Sequence, residues 1–145
     1  MNKDLKVKAV YPYERKEDYK LPLYTTKVPA GFPSPADDYI ESKLDLNKFL
    51  VKHPSATFFV RVEGESMKDA GIYPNDILIV DRAVEPKANH VVIAAVNGEL
   101  TVKRIYVSRK KLFLIPQNPQ YKPMEITKDM DFEIWGVVTH VLHKV

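Results

Sequence analysis

Cysteine is absent from the 145-residue sequence, and its absence excludes several kinds of chemistry. The chain cannot form disulfide bonds, hold a zinc ion through thiolates or use a cysteine nucleophile. Long hydrophobic runs are missing as well, since no stretch approaches the roughly 20 apolar residues that span a bilayer. The first 20 residues are too polar for a signal peptide. We therefore expect a cytoplasmic protein with no membrane partner.

A surplus of basic residues is absent from most of the chain. Residues 1–30 hold seven Lys and Arg against four Asp and Glu, whereas residues 31–145 hold fifteen of each. Since nucleic-acid binding needs a concentrated basic face, we expect no direct sequence-specific DNA binding. The basic excess of the first segment is more typical of a solvated tail than of a polyanion site.

The first 30 residues combine this charge with several prolines and show no sustained hydrophobic period. Because proline cannot donate to a helix or a sheet ladder, we expect an extended, mobile arm. Order is predicted to begin with a helix that Ser34 caps and Pro35 opens. The apolar stripe of this helix comprises Tyr39, Ile40 and Leu44. A second short helix is predicted from Asp45 to Leu50.

The rest of the chain has the pattern of short strands separated by turns. Six runs are rich in β-branched and aromatic residues, in chain order TFFVRV, ILIVD, HVVIAAV, ELTVKRIYV, KLFLIP and FEIWGVVTHVL. Asn97-Gly98 stands between the third and fourth runs and predicts a two-residue hairpin turn. The predicted fold class is therefore mainly β, with a curled sheet or partly open barrel and short helices on its N-terminal side.

Ser66 is the candidate nucleophile, in a Gly-Glu-Ser-Met turn between two apolar runs. A serine hydroxyl needs a base to take its proton, and none of the four histidines stands in a triad pattern. Lys103 is a candidate base, because strand alternation places it on one face with Thr101 and Ile105. A lysine acts as a base only when its pKa falls from about 10.4 toward 7, which burial among apolar side chains promotes. A solvated position at a strand edge is the alternative interpretation of this lysine.

Several blocks of the sequence, taken in order, resemble the UmuD family, the self-cleaving SOS mutagenesis branch of the LexA-like serine peptidases. The blocks are PSPADDYIE, DLNKFL, HPSATFFVRVEGESMKDAGI, NDILIVD, VVIAAVNGELTVKR and FEIWGVVTHV. The resemblance extends over roughly residues 31–141. It implies a LexA/UmuD-like peptidase domain built on a curled β-sheet over residues 31–145, preceded by a cleavable arm of residues 1–30.

The resemblance also implies roles for individual residues. Ser66 matches the family's nucleophile, and Lys103, in a Thr-Val-Lys-Arg block, matches its general base. Backbone N–H groups of Glu65 and Ser66 would stabilise the oxyanion. The chemistry requires neither a metal nor a cofactor, so none is expected.

By the same resemblance, the bond to be cut lies in the chain's own arm, between Ala30 and Gly31. Pro29 departs from the residue types expected before that bond, which bears on docking strength or on cleavage rate. A RecA filament on single-stranded DNA would stimulate the cut. The shortened chain, as a homodimer, would then join a UmuC-like Y-family DNA polymerase in error-prone translesion synthesis.

Three alternatives remain open. A LexA-like transcriptional repressor would need a DNA-binding domain before the cut, and 30 residues precede Gly31 where such a domain needs roughly 50. A signal peptidase would need a membrane anchor. A non-enzymatic polymerase accessory module would have no need of Ser66, Lys103 and the Ala30-Gly31 bond, all of which are present.

Overall fold

The fold is taken from a computed structural model, which describes residues 5–13, 20–24 and 40–145. The chain divides into two units. The first contains the residues up to Tyr13 together with His53–Val145, and the second contains Glu14–Lys52.

Ten strands and one α-helix make up the regular structure of the described residues. In chain order they are β1 (Lys6–Pro12), β2 (Lys20–Tyr24), β3 (Ile40–Asp45), α1 (Leu46–Leu50), β4 (Thr57–Glu63), β5 (Ile77–Asp81), β6 (Val91–Val96), β7 (Glu99–Ser108), β8 (Lys111–Ile115), β9 (Met124–Ile126) and β10 (Phe132–Leu142). Short 3-10 turns add Pro54–Ala56 and Lys68–Ala70. The mainly β class predicted from the sequence is confirmed.

The first unit is built on one antiparallel sheet of eight strands. Their order across the sheet is β1-β4-β5-β10-β6-β7-β8-β9. The sheet curls back on itself, because β1 also meets β7 through the pair Lys6 and Thr101. The curled, barrel-like sheet expected from the resemblance is therefore present, and the curl brings the start of the chain beside the middle of β7.

Two apolar clusters fill the first unit. The larger contains Leu5, Val60, Val62, Met67, Ile72, Leu78, Val80, Ile93 and Val102. The smaller contains Val92, Ala94, Ile105, Leu114 and Val137. Since neighbouring residues of a strand point to opposite faces, β6 and β7 each contribute to both clusters.

The second unit pairs β2 with β3 and ends in α1. The predicted helix over Ile40 and Leu44 is wrong, because these residues lie in β3, where Leu44 pairs with Leu21 of β2. A ladder partner some twenty residues away overrides the local apolar stripe that favoured a helix. The start of that predicted helix lies outside the described residues. The second predicted helix is confirmed as α1, with the Asp45 carboxylate accepting from the N–H of Asn47 at 3.0 Å.

Predictions for the remaining strands agree closely with the structure. The six apolar runs correspond to β4, β5, β6, β7, β8 and β10. The hairpin between β6 and β7 turns at Asn97 and Gly98, with φ of 49° and 84°, the left-handed values that a two-residue turn requires. The three-residue strand β9 was not predicted.

The arm differs from its prediction between residues 6 and 12. This segment is extended, as expected, but as β1 it is a paired strand of the main sheet rather than a mobile tail. Its partner is β4, about fifty residues further along the chain, so no local pattern shows the pairing. The boundary between residues 30 and 31 lies outside the described residues and stays a prediction.

Membrane insertion through a helix finds no support in the described ranges, where every helix falls short of the length and apolar character that a bilayer span needs.

Candidate active site

Ser66 lies in the turn that follows β4, and the backbone there is shaped by glycine. Gly64 has φ of 96°, in the left-handed region that residues with a side chain rarely adopt. Met67, the next residue after Ser66, is fully buried in the larger apolar cluster. The buried Met67 side chain therefore anchors the turn to the core, and Ser66 itself has no exposed surface.

A second segment of the chain holds this turn from outside the β4 strand. The amide of Asn118 donates to the Glu65 carbonyl at 2.9 Å, and the N–H of Asp69 donates to the Gln117 carbonyl at 2.8 Å. The loop after β8 thus fixes both sides of the turn that carries Ser66. Sequence analysis missed this role of Asn118, since its partner lies 53 residues away.

Lys103 lies on β7, where it pairs with Val92 of the neighbouring strand β6. Only 8% of its surface is exposed, so it is not the solvated edge residue of the alternative interpretation. Burial in apolar surroundings disfavours the ammonium form of a lysine and favours the neutral amine that a base requires.

The structure brings the two predicted side chains together. Lys103 Nζ lies 3.3 Å from Ser66 Oγ, within hydrogen-bonding reach. The same amine donates to Thr101 Oγ1 at 2.8 Å, which fixes the direction in which it points. A third contact involves the start of β1, where the Leu5 N–H donates to Ser66 Oγ at 2.9 Å.

A cleft of about 920 Å³ adjoins these groups. Its lining includes Leu5, Lys6, Leu100, Thr101, Lys103 and Tyr121. Its volume is of the size that pockets for small ligands and peptide side chains have. Lys103 reaches the cleft, whereas Ser66 is covered.

The other predicted site residues have different outcomes. Ala30 and Gly31 lie outside the described residues. Glu65 lies in the turn beside Ser66, and the predicted role of the two backbone N–H groups at an oxyanion stays a prediction. The structure places no cluster of three or more metal-ligating side chains within residues 5–13, 20–24 and 40–145.

The four histidines hold structural positions. His53 Nδ1 lies 2.6 Å from the buried carboxylate of Asp81, and His143 Nδ1 lies 2.6 Å from that of Asp76. His90 accepts the N–H of Lys87, and His140 contacts the neighbouring Thr139 hydroxyl. The partner of Ser66 among the titratable side chains is instead a lysine.

Comparison with known proteins gives this geometry its context. Residues 22–139 match the Peptidase S24-like family. The chain belongs to this family. It is 43% identical over 135 residues to Protein SamA of Salmonella typhimurium (strain LT2), covering 93% of this chain and 94% of that protein. It is 43% identical over 129 residues to Protein ImpA of Escherichia coli, covering 88% and 87%.

A more distant relative is the LexA repressor of Pseudomonas chlororaphis, 37% identical over 129 residues. The match covers 88% of this chain but 63% of the repressor. These comparisons confirm the predicted membership of the UmuD-like branch of the S24 peptidases and its SOS mutagenesis function. The family is one of serine-type peptidases, so the chain is a peptidase of that type.

Proposed function

We propose that the chain is a serine peptidase that cuts its own Ala30-Gly31 bond with a dyad of Ser66 and Lys103. The shortened chain, residues 31–145, then serves as a subunit of an error-prone translesion DNA polymerase. The observation that carries the proposal is the 3.3 Å separation of Lys103 Nζ and Ser66 Oγ in a buried setting. Membership of the S24-like family supports it independently.

In the first step, neutral Lys103 accepts the Ser66 hydroxyl proton while Ser66 Oγ attacks the Ala30 carbonyl carbon. The carbonyl oxygen becomes an oxyanion, which the backbone N–H groups of Glu65 and Ser66 stabilise. Lys103 is then an ammonium, and Thr101 Oγ1 accepts one of its hydrogens. A preformed acceptor of this kind reduces the reorganisation that the proton transfer requires.

In the second step, the Lys103 ammonium gives its proton to the Gly31 nitrogen as the carbon–nitrogen bond breaks. Residues 1–30 remain attached to Ser66 as an ester. Lys103, neutral again, takes a proton from water, and the hydroxide attacks the ester carbon. The bond between this carbon and Ser66 Oγ then breaks, and Lys103 returns its proton to Ser66 Oγ. The products are the Ala30 carboxylate and the free Ser66 hydroxyl.

The segment around the cut has the properties of a peptidase substrate. The sequence TTKVPAGFP, residues 25–33, favours extended backbone through its prolines and β-branched residues. Peptidases commonly bind extended peptide as an added strand. Because the bond belongs to the same chain, its effective concentration at the dyad is high.

The same family resemblance suggests the partners of the chain. A RecA filament on single-stranded DNA stimulates docking of the arm, the shortened chain forms a homodimer, and the homodimer binds a UmuC-like Y-family polymerase. The match to SOS mutagenesis relatives supports a polymerase partner in general terms.

A timed cleavage assay tests the proposal. The purified chain is incubated at mildly alkaline pH and its intact mass is followed by mass spectrometry. Two products are expected, residues 1–30 and 31–145, and neither forms in Ser66→Ala or Lys103→Ala. The matched control Lys87→Ala removes an exposed lysine and cuts at the wild-type rate. A wild-type chain that stays intact while its circular dichroism spectrum shows a folded protein would refute the self-cleavage.

A further inference from the structure

The start of the chain already lies against the candidate dyad as a strand. β1 pairs antiparallel with β4, from Lys6 opposite Glu63 to Pro12 opposite Phe58. Just before β1, Leu5 is fully buried and belongs to the larger apolar cluster. The far end of the segment is anchored separately, since the Tyr13 ring meets the Phe59 ring edge-on at 5.8 Å.

This strand covers the nucleophile in an unproductive way. The Leu5 N–H donates to Ser66 Oγ at 2.9 Å and so engages a lone pair of the attacking atom. A carbonyl carbon about to be attacked must lie roughly 3 Å from the same oxygen. Two backbones cannot occupy that position together. The group that faces Ser66 is a donor and not a carbonyl carbon, so β1 is not itself positioned for cleavage.

The pairing along the edge of β7 also indicates that the start of β1 blocks access to Ser66. β6 pairs with β7 from Glu99 to Arg104 on one side, and β8 pairs from Arg104 to Ser108 on the other. On the side of β7 that β8 covers from Arg104 onward, the residues before Arg104 face the start of β1, where Lys6 pairs with Thr101. The cleft opens there, so an extended substrate adding to this edge would meet Lys6 first.

β1 has a built-in break that allows part of it to leave. Its register with β4 shifts between Val7 and Ala9. The shift separates a short part beside the dyad, Leu5–Val7, from a longer part, Ala9–Pro12. A bulge interrupts the ladder, so the short part can detach while the longer part stays paired.

We propose that the segment Leu5–Val7, which forms one wall of the cleft and covers Ser66, must withdraw before a peptide bond can reach Ser66. This inference rests on the proposed function and adds its regulation. The described conformation is then the resting one, with a nucleophile that has no exposed surface. A partner that stimulates cleavage acts by favouring the withdrawn state, since a ligand shifts an equilibrium only toward the state it binds better.

A reversible lock tests the proposal within one folded protein. Lys6→Cys combined with Glu63→Cys introduces thiols on opposite, exposed residues of β1 and β4. Neighbouring antiparallel strands bring Cα atoms within disulfide range, and the chain has no other cysteine. We expect the oxidised protein to cut itself at least about tenfold more slowly than the same sample after reduction. Equal rates before and after reduction would overturn the proposal, and each single-cysteine chain controls for the reductant.

A substitution that releases the segment, instead of locking it, provides a second test of the proposal. Leu5→Asp puts a charge at a fully buried position and should expel the segment, so cleavage should accelerate about tenfold. The matched control Val10→Asp adds the same charge to β1 at a residue that is 44% exposed, and should cut at the wild-type rate. A folded Leu5→Asp chain that cuts at or below the wild-type rate would contradict the proposal.

A binding measurement separates this inference from the proposed peptidase function. A fluorescent peptide of residues 2–8, NKDLKVK, which carries the withdrawing segment and no part of Ala9–Pro12, is added to each chain and its anisotropy is recorded. It should bind the Leu5→Asp chain and not the oxidised, locked chain, whether or not either cuts itself. Binding to neither chain, or equally to both, would overturn the withdrawal of Leu5–Val7. Intact wild-type chains with peptide binding would overturn the peptidase proposal alone.

Discussion

Lys103 Nζ lies nearer to Thr101 Oγ1, at 2.8 Å, than to Ser66 Oγ, at 3.3 Å. The two polar residues stand two positions apart on β7 and therefore on the same face of the strand. The threonine thus holds one N–H of the amine and helps to orient the amine toward the serine. Thr101 is in this sense a positioning residue for the proposed base.

Thr101→Val should slow self-cleavage while leaving the fold intact. Valine keeps the branched shape but removes the acceptor, and one hydrogen bond contributes about 1 kcal/mol, or roughly a five- to tenfold change in rate. The rate is measured by the appearance of the two fragments. Thr101→Ser retains a hydroxyl and should recover most of the lost rate, whereas a Thr101→Val chain as fast as wild type would remove the positioning role.

Self-cleavage should accelerate as the pH rises. A base must be neutral, and raising the pH converts the Lys103 ammonium to the amine. While the ammonium predominates, the neutral fraction increases about tenfold per pH unit, and the rate should follow it until the lysine is mostly neutral. Fragment formation is followed from pH 6 to 10 at constant ionic strength.

Lys103→Arg is the control for this pH dependence. Arginine keeps a positive charge throughout the range, so it cannot accept the proton and no fragments should form at any pH. Cleavage by the arginine variant, or a wild-type rate that does not change with pH, would exclude the lysine as the base.

Gly136→Ala should destabilise the first unit. A Cβ at this position of β10 would lie 2.7 Å from Val80 Cγ1 and 3.3 Å from the Asp81 carbonyl oxygen. Val80 is fully buried and cannot move freely, so overpacking should cost about 1–3 kcal/mol of unfolding free energy in a urea titration. The control Glu133→Ala puts the same methyl side chain at an exposed position of the same strand. Equal losses in the two variants would show that packing against Val80 is not the cause.

Asp76→Ala should also destabilise the protein, through an unsatisfied donor. The buried Asp76 carboxylate accepts the N–H of Tyr73 at 2.8 Å and contacts His143 Nδ1 at 2.6 Å. Removing the carboxylate takes the acceptor away from the Tyr73 N–H and the contact away from His143. The free energy of unfolding should fall by about 1–3 kcal/mol.

Asp129→Ala is the matched control for Asp76. The Thr127 hydroxyl donates to Asp129 and lowers the pKa of its carboxyl, but the site is exposed to solvent. The midpoint of thermal unfolding should therefore stay where it is in the wild type. A comparable fall in both variants would mean that loss of charge, rather than loss of the buried contacts, sets the effect.

The strands from β4 onward, apart from β9, could be predicted because their signals are local. Runs rich in β-branched residues and the Asn97-Gly98 turn determine β6 and β7 without reference to distant partners. Strand alternation also places Thr101 and Lys103 on one face, as the structure has them. The closeness of Ser66 and Lys103 needed the family resemblance, because it depends on how the whole sheet curls.

Most of the features that sequence analysis missed depend on distant partners. β3 is a strand because β2 pairs with it, and β1 because β4 does. The run KVKAVY does alternate lysine with apolar residues, a signal of period two that its charge and the nearby prolines obscured. β9 has three residues, too few for any period to register. The contact of Leu5 with Ser66 spans 61 residues and leaves no mark in the sequence around either.

β7 carries Lys103 between Val102, which belongs to the larger apolar cluster, and Ile105, which belongs to the smaller. Loosening of either cluster should therefore shift the strand and lengthen the distance from Lys103 Nζ to Ser66 Oγ. A copy that is badly packed on either side of the sheet would keep its arm and stay out of any assembly that requires the cut. Self-cleavage would in this way select for chains that have folded correctly.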